Sequence, residues 1–179
     1  FLQEDLIKSR GRDHHQRLSR TIGSIFWEKR DHESAVNYFI QARAFDDLIR
    51  IIKAKGTDYI ITGKVAQLEK WLGHLPEDRV EQDPWLIFFA TLARRIRGGR
   101  KNIKRFRQAL DLFENNGDTK GILLAVGYII EATVFIRQPT SEVLKWIEKG
   151  EQYLQNLSSK DRYPWAKAML LQQMGLGYI

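Results

Sequence analysis

Apolar residues recur along this chain at three- and four-residue intervals, and short polar, Gly- or Pro-containing stretches interrupt them. The clearest case is Trp85, Phe88, Phe89, Leu92, Ala93 and Ile96, which form one stripe of a helical period. Leu86, Ile87 and Ala90 add a second apolar side, so the pattern predicts an inner helix covered from both sides. Asp83 followed by Pro84 is a start signal: the carboxylate accepts orphan first-turn amides, and Pro lacks the donor that would be wasted there. Gly98 and Gly99 are expected to end this helix. Ile103, Phe106, Ala109, Leu110 and Phe113 then share one face of the next, giving two antiparallel helices joined by a tight turn.

Upstream, residues 1–10 read as a short helix with Phe1, Leu2, Leu6 and Ile7 apolar, closed by Gly11. Asp13 is expected to cap a second helix to about Lys29, with Leu18, Ile22, Ile25 and Phe26 on its packing face and Trp27 beside them. Asp31 caps a third, carrying Ala35, Val36, Phe39, Ile40 and Ala42. A fourth runs from Phe45 past Gly56 to Gly63, and a fifth from Lys64 to His74, where Pro76 forbids continuation.

Downstream, Gly117 and Asp118 stop one helix and cap the next, which holds Ile122, Leu123, Ala125, Val126, Ile129, Ala132 and Val134. Pro139 and Thr140 punctuate again, before a helix with Val143, Ile147, Gly150, Leu154 and Leu157 inward and Trp146 and Tyr153 flanking. Tyr163, Pro164 and Trp165 open a last helix in the manner of Pro84 and Trp85. Helix starts near 84, 118 and 161 are about 34 and 43 residues apart, in the range of helix-turn-helix repeats that stack into solenoids. The fold class expected is all-α: antiparallel helical hairpins stacked into a right-handed tetratricopeptide-like superhelix. A plain irregular bundle is the alternative.

Composition leaves that picture intact. The 179 residues, 43% hydrophobic and 28% charged, can bury a core and form no sustained polar/apolar alternation that would make a sheet. With no cysteine there is no disulfide framework and no thiolate metal site, which fits a reducing compartment. The longest apolar run, Ile122 to Ile136, is interrupted by Gly127 and Glu131 and falls short of the roughly 20 residues of a membrane span. The chain begins with Phe1 and stops inside an apolar helical pattern, and is read as an excised piece of a longer protein.

Residues 27–52, with Trp27, Ala35, Ala42, Ala44 and Phe45, and residues 68–99, with Trp71, Leu72, Leu75, Pro76, Pro84 and Leu86, carry a resemblance. They resemble the helical arm and first tetratricopeptide-like repeats of the large LuxR-type ATP-dependent (STAND-class) bacterial transcription activators, the class typified by the maltose regulon activator. The resemblance implies three parts: residues 1–11 as the tail of a preceding winged-helix-like module, 12–83 as the arm, and 84–179 as repeats. Arg30 departs from the pattern, which usually has Gly there. The family's phosphate-binding loop and DNA-binding helix-turn-helix fall outside these residues. The implied role is that of a sensor and coupling region, receiving an inducer or an inhibitory protein beside neighbouring domains in the cytoplasm.

Charge adds one local feature. From Pro84 to Leu110 lie eight of the 29 basic residues and no acid, so this stretch carries +8 of a net +7 and the rest is nearly neutral. Such a patch attracts phosphate, nucleic acid or an acidic partner surface; it also suits a solvated helix end. Arg94, Arg95, Arg97, Lys101, Lys104 and Arg105 are the candidate partner-binding residues. No catalytic, cofactor-binding or metal-ligating set is expected. His14 and His15 diverge by about 100° on a helix, His32 and His74 are alone in sequence, and no glycine cluster precedes a Lys-Ser or Lys-Thr pair. Glu131, a lone acid in an apolar helix, merits inspection. The function expected is a non-enzymatic sensor or scaffold segment binding a protein partner or small inducer. A free-standing adaptor for acidic peptides is second, and a nucleic-acid-binding repeat ranks behind both. Self-association through an uncovered last helix is also expected.

Overall fold

The computed structural model describes residues 2–95, 99–158 and 163–178, with side chains from residue 11 onward. Among them are ten helices and no strand: α1 Leu2–Glu28, α2 His32–Gln41, α3 Phe45–Ile61, α4 Val65–Leu72, α5 Glu77–Gln82, α6 Pro84–Ala93, α7 Arg100–Asn115, α8 Thr119–Phe135, α9 Thr140–Gln155 and α10 Pro164–Gly177. None of the described helices is long and apolar enough to cross a membrane. The chain divides into two compact units, residues 1–76 and 77–179.

In the first unit each helix packs on the one before it. Its core is Ala35, Val36, Phe39, Leu48, Ile51, Ile52, Leu68 and Trp71, all essentially out of solvent. Two expectations fail in α1. The helix is continuous across Gly11 and Asp13 instead of breaking there, since one exposed glycine costs a helix only about 1 kcal/mol. Its packing face is only half of the expected stripe: Ile22 and Phe26 are half-buried, with Phe26 stacked on Tyr38, but Leu18 and Ile25 are exposed and Ser19 and Gly23 are buried in their place. A Cβ on Gly23 would stand 2.8 Å from the Phe39 ring, so small residues win the contact by letting α2 approach. Buried Asp47 on α3 then accepts from Arg20 of α1 at 2.6 Å and from Arg50 at 2.9 Å. The side chains of Phe1, Leu2, Leu6 and Ile7, expected on the apolar side of a first short helix, lie outside the described residues.

One turn is used five times. After α1, α2, α3, α7 and α8 a residue takes a left-handed φ between 52° and 74°: Arg30, Arg43, Gly63, Gly117 and Arg137. The next amide, from Asp31, Ala44, Lys64, Asp118 and Gln138, donates back five residues to the carbonyl of Phe26, Phe39, Tyr59, Phe113 and Thr133, at 2.7–3.1 Å. This closure satisfies helix-end carbonyls that would otherwise be orphaned. Asp31 and Asp118 then cap the following helix by accepting from Ser34 N and Gly121 N.

In the second unit α8 is the central helix, contacting α6, α7, α9 and α10. Every residue from Gly121 to Ile130 is buried, as expected of a helix without a polar face. Glycines set the spacing at two crossings. A Cβ on Gly121 would meet the Phe113 ring at 2.3 Å, and one on Gly127 would meet Met169 Sδ at 2.8 Å and the Leu170 backbone at 3.4 Å. Gly121 is thus a packing residue inside α8. Asp83 caps α6 as the sequence indicates, accepting from Trp85 N at 2.9 Å and Leu86 N at 3.3 Å. Both apolar sides of α6 are covered, with Leu86, Ile87, Phe88 and Phe89 fully buried. The helix stops at Ala93 with Arg94 as its C-cap, earlier than the expected Gly98–Gly99 stop. Ile96, Arg97 and Gly98 lie outside the described residues, as does position 161 itself; the last helix starts at Pro164 after Tyr163, where the Tyr-Pro-Trp signal puts it. The short α5 was not foreseen.

Candidate functional site

The basic stretch folds around α7, whose Phe106, Ala109, Leu110 and Phe113 are buried as the spacing predicts. Apart from buried Asn102, the polar remainder of the helix is exposed or half-buried, and its cations separate into two kinds. Arg105 Nη2 donates to Glu81 Oε1 at 2.7 Å, and Gln108 Nε2 donates to Glu81 Oε2 at 3.2 Å, tying α7 to α5. The bond from Arg105 holds the Glu81 carboxyl below its ordinary range despite partial burial. Arg107 Nη2 donates to Glu142 Oε1 at 2.6 Å and lies over the Trp146 ring at 5.0 Å, tying α7 to α9. Arg100, Lys101 and Lys104 are exposed on the first turns. An open groove of about 610 Å³ runs along this side, where Arg100, Lys104 and Arg107 face Asp111, Gln138 and Glu142.

Of the six candidate residues, Arg94, Arg95, Lys101 and Lys104 are exposed, Arg105 is engaged with Glu81, and Arg97 lies outside the described residues. Arg95, although exposed, also reaches toward α8. Its carbonyl accepts from Asn102 Nδ2 at 2.8 Å, and its guanidinium lies within electrostatic reach of Tyr128 and Glu131 on α8.

Those groups line a half-open pocket of about 150 Å³, together with Phe106 of α7 and with Ala132 and Phe135 of α8. Tyr128, Glu131, Ala132 and Phe135 recur at three- and four-residue spacing, so one face of the C-terminal half of α8 forms the wall. Phe106 and Tyr128 stack with ring centroids 5.7 Å apart and planes 20° from parallel. Burial raises the proton affinity of the Glu131 carboxyl, and the positive charge of Arg95 works against that rise. Burial likewise pushes the Tyr128 hydroxyl up to about 12, so it stays a neutral donor. Sequence reasoning singled out Glu131 but missed its partners. The one available signal was that residues 128, 131, 132 and 135 share a helical face.

A second polar junction joins the starts of α6 and α8: Trp85 Nε1 donates to Asp118 Oδ2 at 2.7 Å, and Lys120 Nζ lies 5.2 Å from the Trp85 ring centroid. Among the described residues no three His, Cys, Asp or Glu side chains are grouped as metal ligands would be. No family model, curated protein or solved structure matches this chain.

Proposed function

We propose that this chain is a non-enzymatic sensor or scaffold segment of a bacterial signal-transduction or transcription regulator, and that it docks an acidic protein partner on the basic side of α7. In this reading α6–α7, α8–α9 and α10 are successive tetratricopeptide-like hairpins of a right-handed superhelix, residues 12–83 are the arm that carries them, and the setting is cytoplasmic. The observation that carries the partner surface is the division of labour on α7. Arg105 and Arg107 are tied to Glu81 and Glu142, which fixes the helix, while Arg100, Lys101 and Lys104 face solvent from its first turns. Fixed cations beside an open groove attract a negatively charged surface and accelerate encounter with it.

The test is a binding titration of a poly-glutamate peptide and a single-stranded oligonucleotide at low and raised salt. The peptide is expected to bind, to weaken as salt screens the charges, and to lose affinity by roughly tenfold or more when Arg100, Lys101 and Lys104 are all changed to Glu. No binding at low salt overturns the docking surface. Tighter binding of the oligonucleotide at matched charge moves the reading to a nucleic-acid-binding repeat. The regulator context has a separate test: the reading frame ahead of Phe1 must encode a phosphate-binding loop, and a frame without one favours a free-standing adaptor.

A further inference from the structure

We propose that the cavity between Arg95, Phe106, Tyr128 and Glu131 is a binding site for a free α-amino acid with a compact apolar side chain. The assignment does not depend on the basic side of α7, so either can fail without the other.

Three features fix the ligand class. The first is the pair of opposite charges at the cavity. Arg95 comes from the segment after α6 and Glu131 from α8, and they line the same space. A ligand with only a carboxylate would satisfy the guanidinium and confront the half-buried Glu131; one with only an ammonium would do the reverse. A molecule carrying both groups on neighbouring atoms pairs each with its opposite, and charge-assisted hydrogen bonds of this kind are the strong ones.

The second feature is the apolar interior. The stacked rings of Phe106 and Tyr128 supply one side, and the α8 wall supplies Ala132 and Phe135. Phe135 is 70% exposed, an unusual setting for a large aromatic ring, and a bound side chain would cover part of it. A pocket of about 150 Å³ that opens to solvent past Phe135 has room for a compact aliphatic or phenyl side chain.

The third is preorganisation. Asn102 Nδ2 holds the Arg95 carbonyl at 2.8 Å, fixing the backbone that carries the guanidinium, and the Tyr128 hydroxyl sits beside that guanidinium. Burial makes Glu131 costly to ionise and Arg95 only partly offsets that cost; a ligand ammonium would add a second positive charge beside it.

Calorimetric titration of the 179-residue chain tests the assignment, with L-leucine and L-phenylalanine set against analogues lacking one charge. Isocaproate and hydrocinnamate lack the ammonium; isoamylamine and phenethylamine lack the carboxylate. The amino acids are expected to bind at least about tenfold more tightly than either analogue. Glu131→Gln and Arg95→Gln are each expected to weaken binding by about tenfold or more, with helix content by circular dichroism unchanged. Ala132→Leu, which fills the cavity and leaves both charges in place, is expected to abolish binding, so the assignment stays testable if one charge variant folds poorly. Absence of binding, equal binding of an acid or amine analogue, or binding insensitive to all three substitutions overturns it.

Discussion

Glu131 shows how a single side chain can be set against its surroundings. It is the one acid between Asp118 and Glu142, and burial on α8 disfavours its charged form while Arg95 partly restores it. Because its folded-state proton affinity is raised, ionised Glu131 opposes folding at neutral pH. That penalty is absent below the ordinary Glu range, where the group is protonated whether folded or not. It develops as pH rises from that range through the raised folded value. Glu131→Gln is therefore expected to stabilise the chain at neutral pH, by a small amount because solvent still reaches the carboxyl. Parallel urea unfolding of parent and variant should show the difference closing in acid, and a variant less stable than the parent at neutral pH would contradict this account.

At the scale of elements, the recurring turn does most of the organising. Arg30, Arg43 and Arg137 occupy a left-handed conformation that an L side chain tolerates at a cost, whereas Gly63 and Gly117 take the same conformation freely. Arg30 thus holds, with a side chain, a backbone conformation that glycine adopts freely. Arg43→Gly and Arg137→Gly are each expected to raise stability by about 1 kcal/mol, and Gly117→Ala to lower it by a similar amount. Denaturant midpoints at unchanged slope would measure this. If the arginine variants are neutral or destabilised, lost side-chain contacts outweigh the relief of backbone strain.

At the scale of the whole molecule, the surface is uneven in both charge and polarity. The positive charge is concentrated near α7, while α10 leaves Leu171 55% and Leu176 48% exposed, and its C-cap Tyr178 62%, although Met169, Leu170 and Met174 of the same helix are buried. Exposed apolar side chains of this number on one helix favour association. Sedimentation velocity over a concentration series is expected to show a dimer that Leu171→Glu with Leu176→Glu returns to monomer. A parent chain that stays monomeric at the highest concentration removes the idea.

The sequence by itself determined the class of structure and nearly every helix start. Those are local matters: Asp31, Asp83 and Asp118 cap through their own neighbours' amides, Pro84 and Pro164 suit a first helical turn, and three- and four-residue spacing names the inner face of α6 and α7. Three things only the tertiary structure decided. The packing face of α1 is rotated toward Ser19 and Gly23, away from Leu18 and Ile25, because Phe39 needs the room at Gly23, and a stripe count cannot see a neighbour's ring. The status of each cation on α7 depends on whether another helix brings an acid to it, as α5 does for Arg105 and α9 for Arg107. The cavity joins Arg95 to Tyr128 and Glu131 across more than thirty residues of chain. Local propensity reaches only as far as the next turn, whereas a site of this kind exists only once α6, α7 and α8 have packed.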